Sequence, residues 1–187
     1  MSSLPDCLVI GDSWSSAVVA GEGDRAGWPL ILGIPDDLRQ AVSGSTAAQW
    51  AGDFEGRLTR ASQTRADVAI ISLLGNDAFA AVADGRVTSE EVDQGVAALR
   101  AVITSAGKKR TIVLLYTDPS GGEDKRSAVV CSLLNAAIRG ALPPRAEYFD
   151  TQSVLRPEHF NWPDIHPNKE GHQAIAAGLR EMLNPGG

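Results

Sequence analysis

Four short polar stretches carry the residue types that acyl-transfer chemistry needs. Gly11-Asp12-Ser13-Trp14 ends the first apolar run, Leu8–Ile10. A serine in a turn after a buried strand sits where α/β proteins place ligands. A helix begun there would aim its N–H groups and positive dipole end at the same point. Ser13 reads either as a helix cap or as a nucleophile, and a nucleophile needs a base and donors for an oxyanion. Ser43-Gly44-Ser45-Thr46 follows the second apolar run. Gly44 there lets the backbone approach a ligand and offers an open N–H, or simply makes a turn ahead of a cap. Gly75-Asn76-Asp77 follows the third run. Asn76 can point an amide at developing negative charge, or close an Asx turn. Before the last helical stretch stands Trp162-Pro163-Asp164-Ile165-His166-Pro167-Asn168. His166 is placed to act as a general base from a loop, or to be an ordinary solvent-facing histidine.

These stretches can meet only if regular elements carry them to one edge. Leu8–Ile10, Leu38–Val42, Val68–Leu74 and Thr111–Tyr116 are expected as strands, with Tyr148-Phe149 a short fifth. The nearly unbroken apolar run V-A-I-I-S-L-L suits a strand covered on both faces. Helices are expected over Thr46–Leu58, Ser89–Ala106, Lys125–Leu142 and Lys169–Leu183. In the second of these, Val92, Val96, Leu99 and Ile103 recur at helical spacing, and T-S-E-E resembles a cap with acidic residues in the first turn. Pro143-Pro144 stops the third. Alternating strand and helix predict an α/β fold, a parallel sheet with helices on both faces.

With 187 residues, 43% of them hydrophobic, the chain suits one domain with one core, spanning 1–187. A net charge of -6 and no basic run speak against nucleic acid and anionic membranes as partners. No apolar stretch reaches the ~20 residues of a membrane span, and no signal-peptide pattern opens the chain; a cytoplasmic protein is expected. Cys7 and Cys131 are then expected as reduced, buried thiols. Gly21-Glu22-Gly23-Asp24-Arg25-Ala26 fits a loose dinucleotide pattern but does not follow the first strand directly. There is no P-loop, and G-D-S-W-S is not the G-x-S-x-G elbow. Asp164, His166 and His172 match no metal-ligand spacing, so neither metal nor cofactor is expected.

Taken in order, G-D-S, S-G-x-T, G-N-D and D-x-H-P-N-x-x-G-H resemble the SGNH, or GDSL, hydrolases from Leu8 to about Leu183. Trp28-Pro29-Leu30 resembles that family too. The resemblance implies a three-layer α/β/α sandwich with a flavodoxin-like parallel sheet of about five strands. It implies a serine esterase for small carboxylic esters, with Ser13 as nucleophile and His166 as base. The Ser13 N–H, the Gly44 N–H and the Asn76 amide would form the oxyanion hole. The family's aspartate stands three residues before the histidine, where this chain has Pro163; Asp164 stands two before. In an extended segment two-residue spacing puts both side chains on one face. Asp164 as third member, a Ser-His dyad held by a backbone carbonyl, and Asp150 or Glu158 as orienting acid all remain open. Trp14 is expected in the core, His172 as a packing or capping group, and Asp12 and Asp77 as organisers of turns. The modest chain length suggests short acyl groups, acetyl first. Acyl transfer to an alcohol would use the same residues. A non-catalytic small-molecule binder or a flavodoxin-like cofactor module would use the same crevice. Oligomeric state is not legible.

Overall fold

A computed structural model describes residues 4–16, 27–78 and 89–184. Among the described residues four strands, the first three rich in β-branched residues, form one parallel sheet in the order β1 (Cys7–Gly11), β2 (Val68–Ser72), β3 (Arg110–Leu114), β4 (Ala146–Phe149). β1 and β2 are buried at every position, as strands with helices on both faces must be. Register aligns their ends: Gly11 lies opposite Ser72, and Ile71 opposite Val113. The turns that leave β1, β2 and β3 therefore share one carboxyl edge.

The strand expected at Leu38–Val42 is a correction. Leu38 ends a 3-10 turn, and only Arg39 bridges Val9. The segment still runs beside β1, with Gln40 N–H donating to Val9 O (2.9 Å) and Val42 N–H to Gly11 O (2.8 Å). Residues 39–42 are only half-buried, so no second apolar face holds them as a full strand. Counted at that position, the segment completes the flavodoxin-like order.

Helices flank the sheet, among the described residues α1 (Trp28–Ile31), α2 (Ala47–Ala51), α3 (Arg57–Ser62), α4 (Ser89–Ala106), α5 (Lys125–Ala141) and α6 (Lys169–Leu183). α2, α3 and α5 pack along α4, while α1 packs on α6. The helix expected at Thr46–Leu58 is split. Thr46 and Gln49 form a reciprocal cap on α2. The chain then passes through left-handed conformations at Asp53, Glu55 and Gly56, and the Asp53 carboxylate accepts from Thr59 N–H (2.9 Å) in α3. A side chain that caps a new helix competes with continuing the old one. Asp124 caps α5 and Asn168 caps α6. In α4, Gly95 permits close contact with the turn after β2, because a Cβ there would lie 2.9 Å from Leu74 Cδ2.

Among the core residues, Trp28 and Trp50 are fully buried. Cys7 and Cys131 are free and buried, their thiols pushed up to about 11 and about 12 chiefly by burial. Among the described residues no helix is long and apolar enough to cross a membrane. The glycine-rich stretch 21–26 and Thr88 of the expected α4 cap lie outside the described residues.

Candidate active site

Ser13 begins a turn that β1 delivers to the carboxyl edge of the sheet. Asp12 N–H bonds Ser72 O (3.0 Å), and Asp12 O accepts from Ser15 and Ser16 N–H, so the chain coils directly after the strand. The Asp12 side chain closes an Asx turn by accepting from Trp14 N–H (3.0 Å). Gly11 cannot carry a side chain here, since a Cβ would come within 2.8 Å of both Ser15 Cβ and Ser72 O. Ser13 is 8% exposed. Its N–H has no acceptor among the described residues, and its hydroxyl has no protein partner there.

Gly44 occupies a turn closed by Ser45 N–H to Val42 O (3.1 Å). Its φ of +78 is a left-handed conformation that glycine adopts freely. Nothing lies within 4 Å of where a Cβ would stand on this exposed turn, and the Gly44 N–H has no acceptor among the described residues. Ser45, buried, donates through Oγ to Gly11 O (3.1 Å), which ties this turn to the end of β1.

Asn76 lies in a helical turn, residues 75–78, begun immediately after β2. One amide hydrogen goes to Ser45 O (2.9 Å), and the second has no acceptor among the described residues. Asp77 accepts from Ala47 N–H (2.9 Å) at the start of α2. Asp12 and Asp77 thus organise turns. Three donors without acceptors among the described residues, on Ser13, Gly44 and Asn76, stand on three turns hydrogen-bonded to one another. That arrangement can receive an anionic oxygen.

The segment carrying His166 is pinched off by an antiparallel bridge between Phe160 and Pro167. Phe160 packs on Trp14 with ring centroids 5.9 Å apart, and Trp14 is 4% exposed. Trp14 is therefore a core residue that moors the histidine loop beside the turn of Ser13. Within that loop Asp164 Oδ1 accepts from His166 N–H (3.0 Å) and lies 2.7 Å from His166 Nδ1. Two-residue spacing succeeds because the carboxylate closes a turn around the His166 amide, which carries the imidazole onto the same oxygen. Asp150 is instead held by Arg139 (2.9 Å) and Gln152 N–H (3.1 Å). Partial burial of Asp164 opposes its ionisation, but the His166 amide and ring outweigh it and hold the carboxyl below its ordinary range. Among the described residues no hydrogen bond joins Ser13 Oγ to His166, a contact that commonly tightens only around a substrate.

The other two histidines have separate duties. His172 is fully buried, and its Nδ1 accepts from Trp28 N–H (3.2 Å). His159 Nδ1 accepts from Arg156 N–H (3.1 Å). Asp164, His166 and His172 are not brought together as a ligand group among the described residues.

Sequence reasoning missed Tyr116. Just past the end of β3, its hydroxyl donates to Asp12 Oδ2 (2.8 Å) and accepts from Gly75 N–H (3.1 Å). The one available signal was its position, a polar atom closing an apolar run at the same sheet edge as the other motifs. Burial pushes the Asp12 carboxyl up to about 6 despite hydrogen bonds from Tyr116, Trp14 and Ser72. Burial, and then the Asp12 charge, drive the Tyr116 phenol well above its ordinary value.

Residues 9–174 match the GDSL-like lipase/acylhydrolase family. The fold also resembles solved structures of an acetyl xylan esterase from Geobacillus stearothermophilus. One variant of that enzyme superposes with a TM-score of 0.71 at 17% identity, covering 98% of this chain and 96% of that one. Another gives 0.75 at 19%, covering 98% and 95%. An alpha/beta hydrolase from the metagenome of Lake Arreo, Spain, gives 0.69 at 20%, covering 98% and 97%. No curated protein shows a significant match. With the family match covering most of its length, the chain belongs to the GDSL-like lipase/acylhydrolase family and is an esterase-type hydrolase of α/β fold.

Proposed function

We propose that this member of the GDSL-like lipase/acylhydrolase family is a serine esterase that cleaves small carboxylic esters through an acyl-enzyme, with short acyl groups and acetyl first. The observation that carries this reading is the Asp164–His166 pair, moored through Phe160 and Trp14 beside a serine turn that presents unpaired donors. Ser13 Oγ attacks the ester carbonyl while His166 Nε2 takes its proton, and Asp164 holds the imidazole through Nδ1. The carbonyl oxygen becomes an oxyanion facing the Ser13 N–H, the Gly44 N–H and the Asn76 amide. Fixed donors favour the charge that develops over the neutral ground state, which is what lowers the barrier. Collapse of the intermediate expels the alcohol, which takes its proton from His166. Water deprotonated by the same histidine then attacks the acyl group and restores Ser13. The acetyl preference draws support from the acetyl xylan esterases that share the fold.

A fluorophosphonate probe read by intact mass tests the reading without assuming a substrate. One adduct is expected on the wild type, none on Ser13→Ala and a much slower one on His166→Ala. p-Nitrophenyl acetate and acetylated xylo-oligosaccharides would follow, against butyrate and octanoate esters. A wild type that takes no adduct and turns over none of these esters overturns the proposal.

A further inference from the structure

The three turns are joined in a closed circuit. Ser45 Oγ bonds Gly11 O (3.1 Å), and the Asn76 amide bonds Ser45 O (2.9 Å). Gly75 N–H bonds the Tyr116 hydroxyl (3.1 Å), which bonds Asp12 Oδ2 (2.8 Å). Covalent neighbours complete the loop, Gly11 to Asp12 and Gly75 to Asn76. Every proposed oxyanion donor lies on this circuit or one residue from it: Ser13 after Asp12, Gly44 before Ser45, and Asn76 itself. Tyr116 is the member furthest removed, just past the end of β3.

A phenol has one hydrogen to give. Gly75 N–H can only donate, so the hydroxyl accepts there and gives its hydrogen to Asp12. Its orientation is thereby fixed. The rest of Tyr116 is held equally firmly. Its backbone N–H and C=O are both paired with the Asn135 side chain of α5 (2.8 and 2.7 Å). Its ring meets Trp14 edge-on at 5.1 Å, and it is 3% exposed. A carboxylate enclosed at this depth is costly to ionise. Phenylalanine at 116 would fill the same space, but it could neither donate nor accept.

We propose that Tyr116 is a positioning residue for the oxyanion hole, its hydroxyl locking the Gly75-Asn76 turn to the Asp12-Ser13 turn so that the donors hold one spacing. The role rests on the serine-esterase reading and adds a residue to it. Tyr116 touches no reacting atom. It acts through Asn76 and the Ser13 turn, so its loss should appear in the transition state rather than in substrate binding.

The test is steady-state hydrolysis of p-nitrophenyl acetate by Tyr116→Phe, Asn76→Ala and the double variant, with thermal melts of each. For Tyr116→Phe, kcat is expected to fall about tenfold or more, with KM changed less than about twofold. In the Asn76→Ala background the same substitution is expected to cost under about twofold, because the donor it positions is gone. Ile138→Val in the core of α5 supplies the structural control, with a lowered melting temperature and unchanged kcat. Should Tyr116→Phe fail to fold, Asp12→Ala removes the hydroxyl's acceptor from the other side and is expected to give a kcat loss at least as large and the same lack of additivity. An undiminished kcat in Tyr116→Phe, or full additivity with Asn76→Ala, overturns the role while leaving the esterase reading standing. A wild type with neither turnover nor a fluorophosphonate adduct removes the esterase reading, and the role with it.

Discussion

The unusual spacing of Asp164 and His166 makes Asp164→Ala the most informative single substitution. The carboxylate is 2.7 Å from the ring nitrogen, but the two side chains are 40% and 22% exposed. Water therefore screens the pair, and an effective dielectric of roughly 40 to 80 applies. At this separation the attraction between carboxylate and imidazolium is then about 1.5 to 3 kcal/mol. That charge pair exists only once His166 has taken the serine proton, so the loss falls on the transition state. It converts to a reduction in kcat/KM of about 10- to 150-fold. The assay is p-nitrophenyl acetate hydrolysis at low salt and at ~1 M NaCl, where the wild-type advantage should shrink because the pair is solvent-accessible. Asp164→Asn should fall in the same range, since the amide oxygen can still accept from the His166 amide but carries no charge. A loss below about threefold would refute Asp164 as the group that holds the imidazole and favour a dyad. A loss beyond about a thousandfold, insensitive to salt, would refute the screening estimate.

Asn76→Ala should lower kcat by about 10²–10³ with KM nearly unchanged; a rise in KM alone would mean that Asn76 only helps to bind substrate. Its lost bond to Ser45 O should also lower unfolding stability by about 1 kcal/mol in urea titration. Gly11→Ala should destabilise the fold by about 1–3 kcal/mol, because the new methyl meets the Ser72 backbone oxygen at 2.8 Å and neither strand can yield; an unchanged urea midpoint would contradict this. Asp12 has a folded pKa of about 6, above its unfolded value of 3.8, so the native state binds its proton more tightly. Asp12 therefore disfavours folding fully above pH ~6, and that penalty fades as pH falls toward ~4. Between pH 5 and pH 7 the wild type should lose on the order of 1 to 2 kcal/mol relative to Asp12→Asn, measured by urea unfolding at both pH values.

The strands of the sheet were legible because buried parallel strands need continuous apolar runs, and Leu8–Ile10, Val68–Ser72 and Thr111–Leu114 have them. The order of Ser13, Gly44, Asn76 and His166 was legible for a related reason. Each follows an apolar run or precedes a capped helix, and local chemistry marks those boundaries. Tertiary structure decided what local chemistry leaves open. Leu38–Val42 became a bridge because a second apolar face does not cover residues 39–42. The helix expected across Thr46–Leu58 broke because Asp53 found Thr59. Asp164 reached His166 through a turn whose closure depends on how Phe160 and Pro167 pair, which no spacing rule encodes. Tyr116 joins Asp12 across 104 residues of chain. A contact at that separation exists only once the sheet has assembled, which is why the residue types of the site can be read from the sequence and the circuit that holds them in place cannot.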